Sequence, residues 1–183
     1  MNNSTLPLVM FDSCVLIDAI QKKQGHYPQI EPYVLEAEEG RMAIVLSTVT
    51  LAEVCYLKER HKAGVSLEEQ IRQIEDWFDR QYVDVVGVSR AIARKAARLR
   101  DPSARAKLTT PDAIILATAL SKQIPKLLTY DGAGKNGYLL KLNGQVGGSP
   151  PLRVIEPDGR PLPAPLLEQR DEQELEEEAR NEA

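Results

Sequence analysis

The stretch "LPLVMFDSCVLIDAI", residues 6–20, decides the fold. Its first part, "LPLVMF" (Leu6 to Phe11), is a short, nearly unbroken apolar run, the pattern of a strand covered on both faces rather than one. The run stops at Asp12, and "SCVLIDAI" continues as a helix. Strands hidden on both faces belong to parallel sheets with helices on either side. Asp12 therefore stands at the carboxyl end of a buried strand.

Outward from this stretch the same alternation repeats. "RMAIVLS" (Arg41 to Ser47) is a second buried strand, followed by the helix "TLAEVCYLKERH". Ser66 and Glu69 make a capping-box pattern that opens a long amphipathic helix running to about Arg80. "YVDVVGV" is a third strand, after which Ser89 caps a helix whose apolar stripe is Ile92, Ala96 and Leu99. In "LTTPDAIILATAL" (Leu108 to Leu120), Thr110 is the expected N-cap and Pro111 the first helical residue. "KLLTY" (Lys126 to Tyr130) and "LRVIEP" (Leu152 to Pro157) supply a fourth and a fifth strand. Strands alternating with helices point to a layered α/β fold with a mainly parallel sheet.

The 183 residues are enough for one domain with a core of its own. Aromatics make up only 5%, so that core rests on Leu, Ile, Val and Ala. No apolar run reaches the roughly 18 residues of a membrane span, and "MNNSTLPLVMFD" lacks the basic start and small-residue cleavage site of a signal peptide. A cytoplasmic protein is expected. Cys14 and Cys55 have no metal-ligand spacing with each other or with His26 and His61, and read as small core residues in a reducing compartment. The two histidines read as surface residues. From Glu168 to Ala183, eight acids face two arginines, a net of −6. With −4 for the whole chain, the remaining body carries +2. Half of the twelve prolines fall between Pro150 and Pro165. The expected division is a domain over residues 1–157 and a Pro-rich spacer with an acidic tail over 158–183.

In an open parallel sheet, ligands bind at the carboxyl ends of the strands. Asp12 follows strand one, Asp131 follows strand four, Glu53 lies in the helix after strand two, and Asp112 lies in the first turn of its helix. Each has a purely structural reading: a cap for Asp12, a capping box with Thr50 for Glu53, the helix dipole for Asp112, a Gly-containing turn for Asp131. Their shared edge favours a joint role. Carboxylates gathered in one volume repel and take up protons unless a cation joins them. Oxygen ligands suit Mg²⁺ or Mn²⁺, which can orient a phosphodiester and activate an attacking water.

The pieces "VMFDSCVLID", "LSTVTLAEV", "TTPDAIILATAL" and "LLTYD", in this order, resemble the PIN-domain nucleases, especially the VapC-type toxins of toxin–antitoxin pairs. The resemblance spans about residues 8–131. It implies a three-layer α/β/α fold, metal-dependent endoribonuclease activity, and the acids Asp12, Glu53, Asp112 and Asp131 as metal-binding and catalytic residues. It also implies supporting hydroxyls at Ser13 and Thr129, products bearing a 5′-phosphate and a 3′-hydroxyl, a homodimer, and an antitoxin partner. The chain departs from the family's pattern at Cys14, where Asn or Ser is common, a change that weakens a hydrogen-bonding role there. The Gly-rich connection between Asp131 and Leu152 is also long.

Arg90, Arg94 and Arg98 recur every four positions, opposite the apolar stripe of their helix. With Arg105 and Lys107 in the following loop they form a candidate phosphate track toward Asp112, or else a solvated helix face. Two other functions remain compatible with the sequence: a non-catalytic PIN-like module that binds RNA or protein, and a structure-specific DNA nuclease.

Overall fold

The computed structural model describes residues 6–54, 57, 62–100, 108–132 and 138–161. Its five strands are β1 (Leu8–Phe11), β2 (Ala43–Ser47), β3 (Val83–Val86), β4 (Lys126–Leu128) and β5 (Arg153–Ile155). They form one sheet in the order β3-β2-β1-β4-β5, and every pairing is parallel. The chain builds outward from β1 through β2 to β3, then crosses back to place β4 on the other side of β1. The gap between β1 and β4 is thus a topological switch point, where an open sheet leaves a crevice at its carboxyl edge.

The helices are α1 (Ser13–Gln21), α2 (Tyr27–Glu38), α3 (Thr48–Glu53), α4 (Leu67–Phe78), α5 (Arg90–Leu99) and α6 (Thr110–Ser121). Successive strand residues face opposite sides of the sheet, and the core divides accordingly. Val9, Phe11, Ile44, Leu46 and Leu128 pack with Leu16, Ile30, Tyr33, Ile74 and Trp77 of α1, α2 and α4. Met10, Val45, Leu127 and Val154 pack on the other face with Ile92 and Ala96 of α5 and with Ala113, Leu116 and Ala117 of α6. The result is the expected three-layer α/β/α arrangement. Buried residues surround most of α6, which explains a sequence that is apolar on nearly every side.

Local boundaries differ from the sequence reading in ways that have physical causes. Helix α2 is absent from the sequence reading, which assigns no element between Ile20 and Arg41. Pro28 sits in the first turn, where no N–H partner is needed, and Pro32 is accommodated inside the helix. The N-cap of α6 is Thr109, not Thr110: its hydroxyl accepts from the Asp112 N–H. Helix α3 ends at Glu53, shorter than "TLAEVCYLKERH", and Cys55 and His61 lie outside the described residues. Ser66 and Ser89 cap α4 and α5 as expected. No described helix is long and apolar enough to cross a membrane.

Candidate functional site

Asp12 leaves β1 as the N-cap of α1, its Oδ1 accepting from the Ser13 N–H at 2.7 Å. It is only 5% exposed. The Thr129 hydroxyl donates to Asp12 Oδ2 at 2.6 Å and accepts from the Asp131 N–H at 2.9 Å. Thr129 therefore ties the end of β4 to the end of β1 across the switch point. Cys14 has a larger part than the sequence implied. Its thiol donates to Asp12 Oδ2 at 3.2 Å, and its sulfur accepts from the Tyr130 N–H at 3.2 Å. The long C–S bonds let a thiol reach both partners where a better donor was expected. Burial, followed by the charge of Asp12, pushes the Cys14 thiol well above its ordinary pKa, so it stays protonated and donating.

Glu53 closes the short helix α3, and its Oε2 accepts from the Ser13 hydroxyl at 2.5 Å. The capping partner of α3 is Ser47, which leaves Glu53 free of the capping box with Thr50. Asp112 sits in a reciprocal box with Thr109: Thr109 N and Oγ1 donate to Asp112 Oδ2 at 3.1 and 2.5 Å. The spacing T-x-x-D signals this box in the sequence, a clue the choice of Thr110 passed over. Both bonds use Oδ2 of Asp112.

Asp12, Glu53 and Asp112 feel one another electrically. Burial raises the pKa of Asp12 despite the hydrogen bonds from Thr129, Cys14 and Ser13, and the charge of Asp112 adds to the rise. Burial likewise raises Glu53, opposed by Ser13 and reinforced by Asp12 and Asp112. Among the described residues no lysine, arginine or histidine forms an ion pair with these three acids. Asp131 is placed at the same edge but engaged differently, its Oδ2 accepting from the N–H groups of Tyr138 and Leu139 at 3.1 and 3.2 Å. The structure thus couples three acids directly and holds the fourth through Thr129.

The donor set, carboxylate oxygens without a neutralising cation, is chemically suited to a hard divalent metal. Among the described residues, no three His, Cys, Asp or Glu side chains stand in a ready-made ligating cluster. Ligation by Glu53 or Asp112 is compatible with the Ser13 and Thr109 hydrogen bonds, since a carboxylate offers two oxygens and about four lone-pair sites.

Asp18 and His26 have roles the sequence did not suggest. Asp18 is buried and accepts from His26 Nδ1 at 2.5 Å, and Lys23 lies 3.3 Å away. The His26 ring stacks on Tyr130 at a centroid distance of 4.1 Å, so His26 is a half-buried prop for the β4 loop rather than a free surface group. Desolvation pushes the Tyr130 phenol up to about 12, with Asp18 adding to it. On α5, Arg90, Arg94 and Arg98 are exposed while Ile92 and Ala96 are buried. Arg100 Nε donates to Leu108 O at 3.3 Å, which sets the carboxyl end of α5 beside the start of α6. Arg105 and Lys107 lie outside the described residues.

The sequence matches the family described as PIN domain over residues 9–135. No curated protein sequence matches the chain. Solved structures that share its fold include two toxin–antitoxin proteins. VapBC2 from Rickettsia felis, bound to a DNA fragment from its promoter, aligns with a TM-score of 0.52 and 16% identity, covering 80% of this chain and 96% of that one. VapC20 of Mycobacterium tuberculosis, a Sarcin-Ricin loop cleaving toxin, gives a TM-score of 0.54 and 12% identity, covering 68% and 90%.

Proposed function

Because the chain belongs to the PIN-domain family, we propose that it is a metal-dependent endoribonuclease, acting in the cytoplasm as the toxin of a toxin–antitoxin pair. The observation that carries this reading is the set of mutually coupled acids at the switch point, Asp12, Glu53 and Asp112, with no cationic side chain among the described residues to neutralise them. Carboxylates gathered in that state, with Asp12 buried and Asp112 and Glu53 more open to solvent, have a use if a cation completes them.

Asp12, Asp112 and Asp131 would hold Mg²⁺ or Mn²⁺, directly or through water, and Glu53 would hold or orient the attacking water. When bound, the cation supplies charge stabilisation on the phosphodiester oxygens and lowers the pKa of that water. The chain's own groups do the rest. Ser13 aims Glu53 through its hydroxyl. Burial and two neighbouring acids raise the proton affinity of the Glu53 carboxylate, which suits it to take the proton that the water loses. Thr129 and Cys14 hold Asp12 Oδ2 in one orientation. Arg90, Arg94 and Arg98, continued by Arg105 and Lys107, would bind the RNA backbone beside Asp112. In-line attack would leave a 5′-phosphate and a 3′-hydroxyl.

An antitoxin is supported by the Rickettsia felis relative, whose structure is that of a VapBC complex. A homodimer is supported by Leu67 and Ile71, one turn apart on α4 and 57% and 41% exposed.

The test is cleavage of a mixed RNA pool with Mg²⁺, with Mn²⁺ and with EDTA, alongside calorimetry with Mn²⁺. Wild type should cut only with metal, and Asp12→Asn should stay folded, cut nothing and bind the ion more weakly. RNA binding without cleavage in any metal would instead identify a non-catalytic binding module.

A further inference from the structure

A second site lies at the opposite edge of the sheet from the acids. There a cavity of about 340 Å³ opens where β1, β4 and β5 begin. That volume is at the lower end of the roughly 300–1,000 Å³ range of small-ligand pockets. Pro7 and Pro125 give it flat apolar walls, and its charged lining is Lys126, Arg153, Arg160 and Asp158. Three cations against one carboxylate leave an excess of two positive charges.

The carboxylate is already committed. Asp158 accepts from the Tyr33 hydroxyl and, at 3.0 Å, from the Arg160 N–H. Lys126 Nζ is fixed by donating to Tyr33 Oη at 3.2 Å and to Arg160 O at 2.7 Å, two of its three N–H bonds. Among the described residues neither guanidinium, of Arg153 or of Arg160, has an ion-pair partner. Burial and the charge of Arg153 depress the Lys126 ammonium, a penalty that an anion in the cavity would relieve.

We propose that this cavity binds a phosphomonoester dianion carried on a flat apolar body, as in a nucleoside monophosphate. Two planar guanidinium forks and one ammonium donor match the three terminal oxygens of such a phosphate in number and charge, and the proline walls receive the ring. A free mononucleotide and the 5′-phosphorylated end of an oligonucleotide share this chemistry.

The test is calorimetry on the full chain in EDTA with adenosine 5′-monophosphate, adenosine, and the dinucleotide pApA as probes. The monophosphate should bind saturably at one site and adenosine should be at least tenfold weaker. Arg153→Ala and Arg160→Ala, both at exposed positions, should each weaken the monophosphate by about tenfold or more. Arg72→Gln, at an exposed position on α4 outside both sites, should change nothing. Tighter binding of pApA than of the monophosphate would identify a chain end as the ligand, and the reverse a free nucleotide. The proposal is overturned by the absence of saturable binding to either phosphorylated probe, by equal affinity for adenosine, or by both cavity variants binding the monophosphate as tightly as wild type and Arg72→Gln do.

Discussion

Replacing Thr129 by valine removes one oxygen from a fully buried position with little change in shape. That oxygen makes two hydrogen bonds, one to Asp12 Oδ2 and one from the Asp131 N–H. A bond to an ionised acceptor contributes about 1.5–3 kcal/mol and a neutral one about 1 kcal/mol, so Thr129→Val should destabilise the metal-free protein by about 2.5–4 kcal/mol. That is a large share of the roughly 5–15 kcal/mol typical of a domain. The loss should also depend on pH. Burial already raises the folded-state pKa of Asp12 above 3.8, and the Thr129 bond opposes that rise. Without the bond the folded pKa climbs further. A carboxyl with a raised folded pKa keeps its stability below the unfolded value and loses it as pH rises through the folded one. The gap between variant and wild type should therefore be smallest near pH 4 and widen toward neutrality. Urea denaturation in EDTA across that range measures it, and Thr129→Ser should restore most of the stability. A loss under about 1 kcal/mol, or one that is the same at every pH, would refute the reasoning.

Asp12→Asn keeps a good N-cap residue but removes the buried charge. In EDTA its melting temperature should fall less than that of wild type between acid and neutral pH, and parallel curves would contradict this. Thr50 Oγ1 is buried without a hydrogen-bond partner among the described residues. Thr50→Val should raise stability by about 1 kcal/mol, measured by denaturant titration, and a loss would show that the hydroxyl has a partner. Changing Arg90, Arg94 and Arg98 together to glutamine should flatten the dependence of log affinity for single-stranded RNA on log salt by about 2, at about 0.7 per phosphate contact. An unchanged slope would return the stripe to a solvated helix face.

Strands β1 and β2, inside the sheet, were legible as short apolar runs, a pattern that burial on both faces of a parallel sheet almost forces. Strand β3, by contrast, carries Asp84, and β4 and β5 begin at Lys126 and Arg153. The positions of Asp12 and Asp131 followed from the strand ends. The local wiring of the site did not. Thr109 and Thr110 are equally good caps by type, and only the reciprocal bond with Asp112 separates them. Cys14 was undervalued because donor strength was judged without geometry. His26 was misread because its partners, Asp18 and Tyr130, lie 8 and 104 positions away, and nothing in the sequence shows that their rings and charges meet. Helix α2 went unassigned; it carries Pro28 and Pro32, whose cost depends on where in the turn they fall.

The central place of β1 has a consequence for the order in which the molecule is made. Its neighbours on the two sides come from distant parts of the chain: β2 ends at Ser47, whereas β4 begins at Lys126. The bond from Thr129 to Asp12 closes a loop of 117 residues. A nascent chain that has left the ribosome only as far as β3 can pair one side of β1 and bury one helical layer. It has neither Thr129 to orient Asp12 nor α6 to bring Asp112 alongside. Translation therefore delivers the first acid early and its partners late, and a partly synthesised chain carries the sequence of the site without its chemistry.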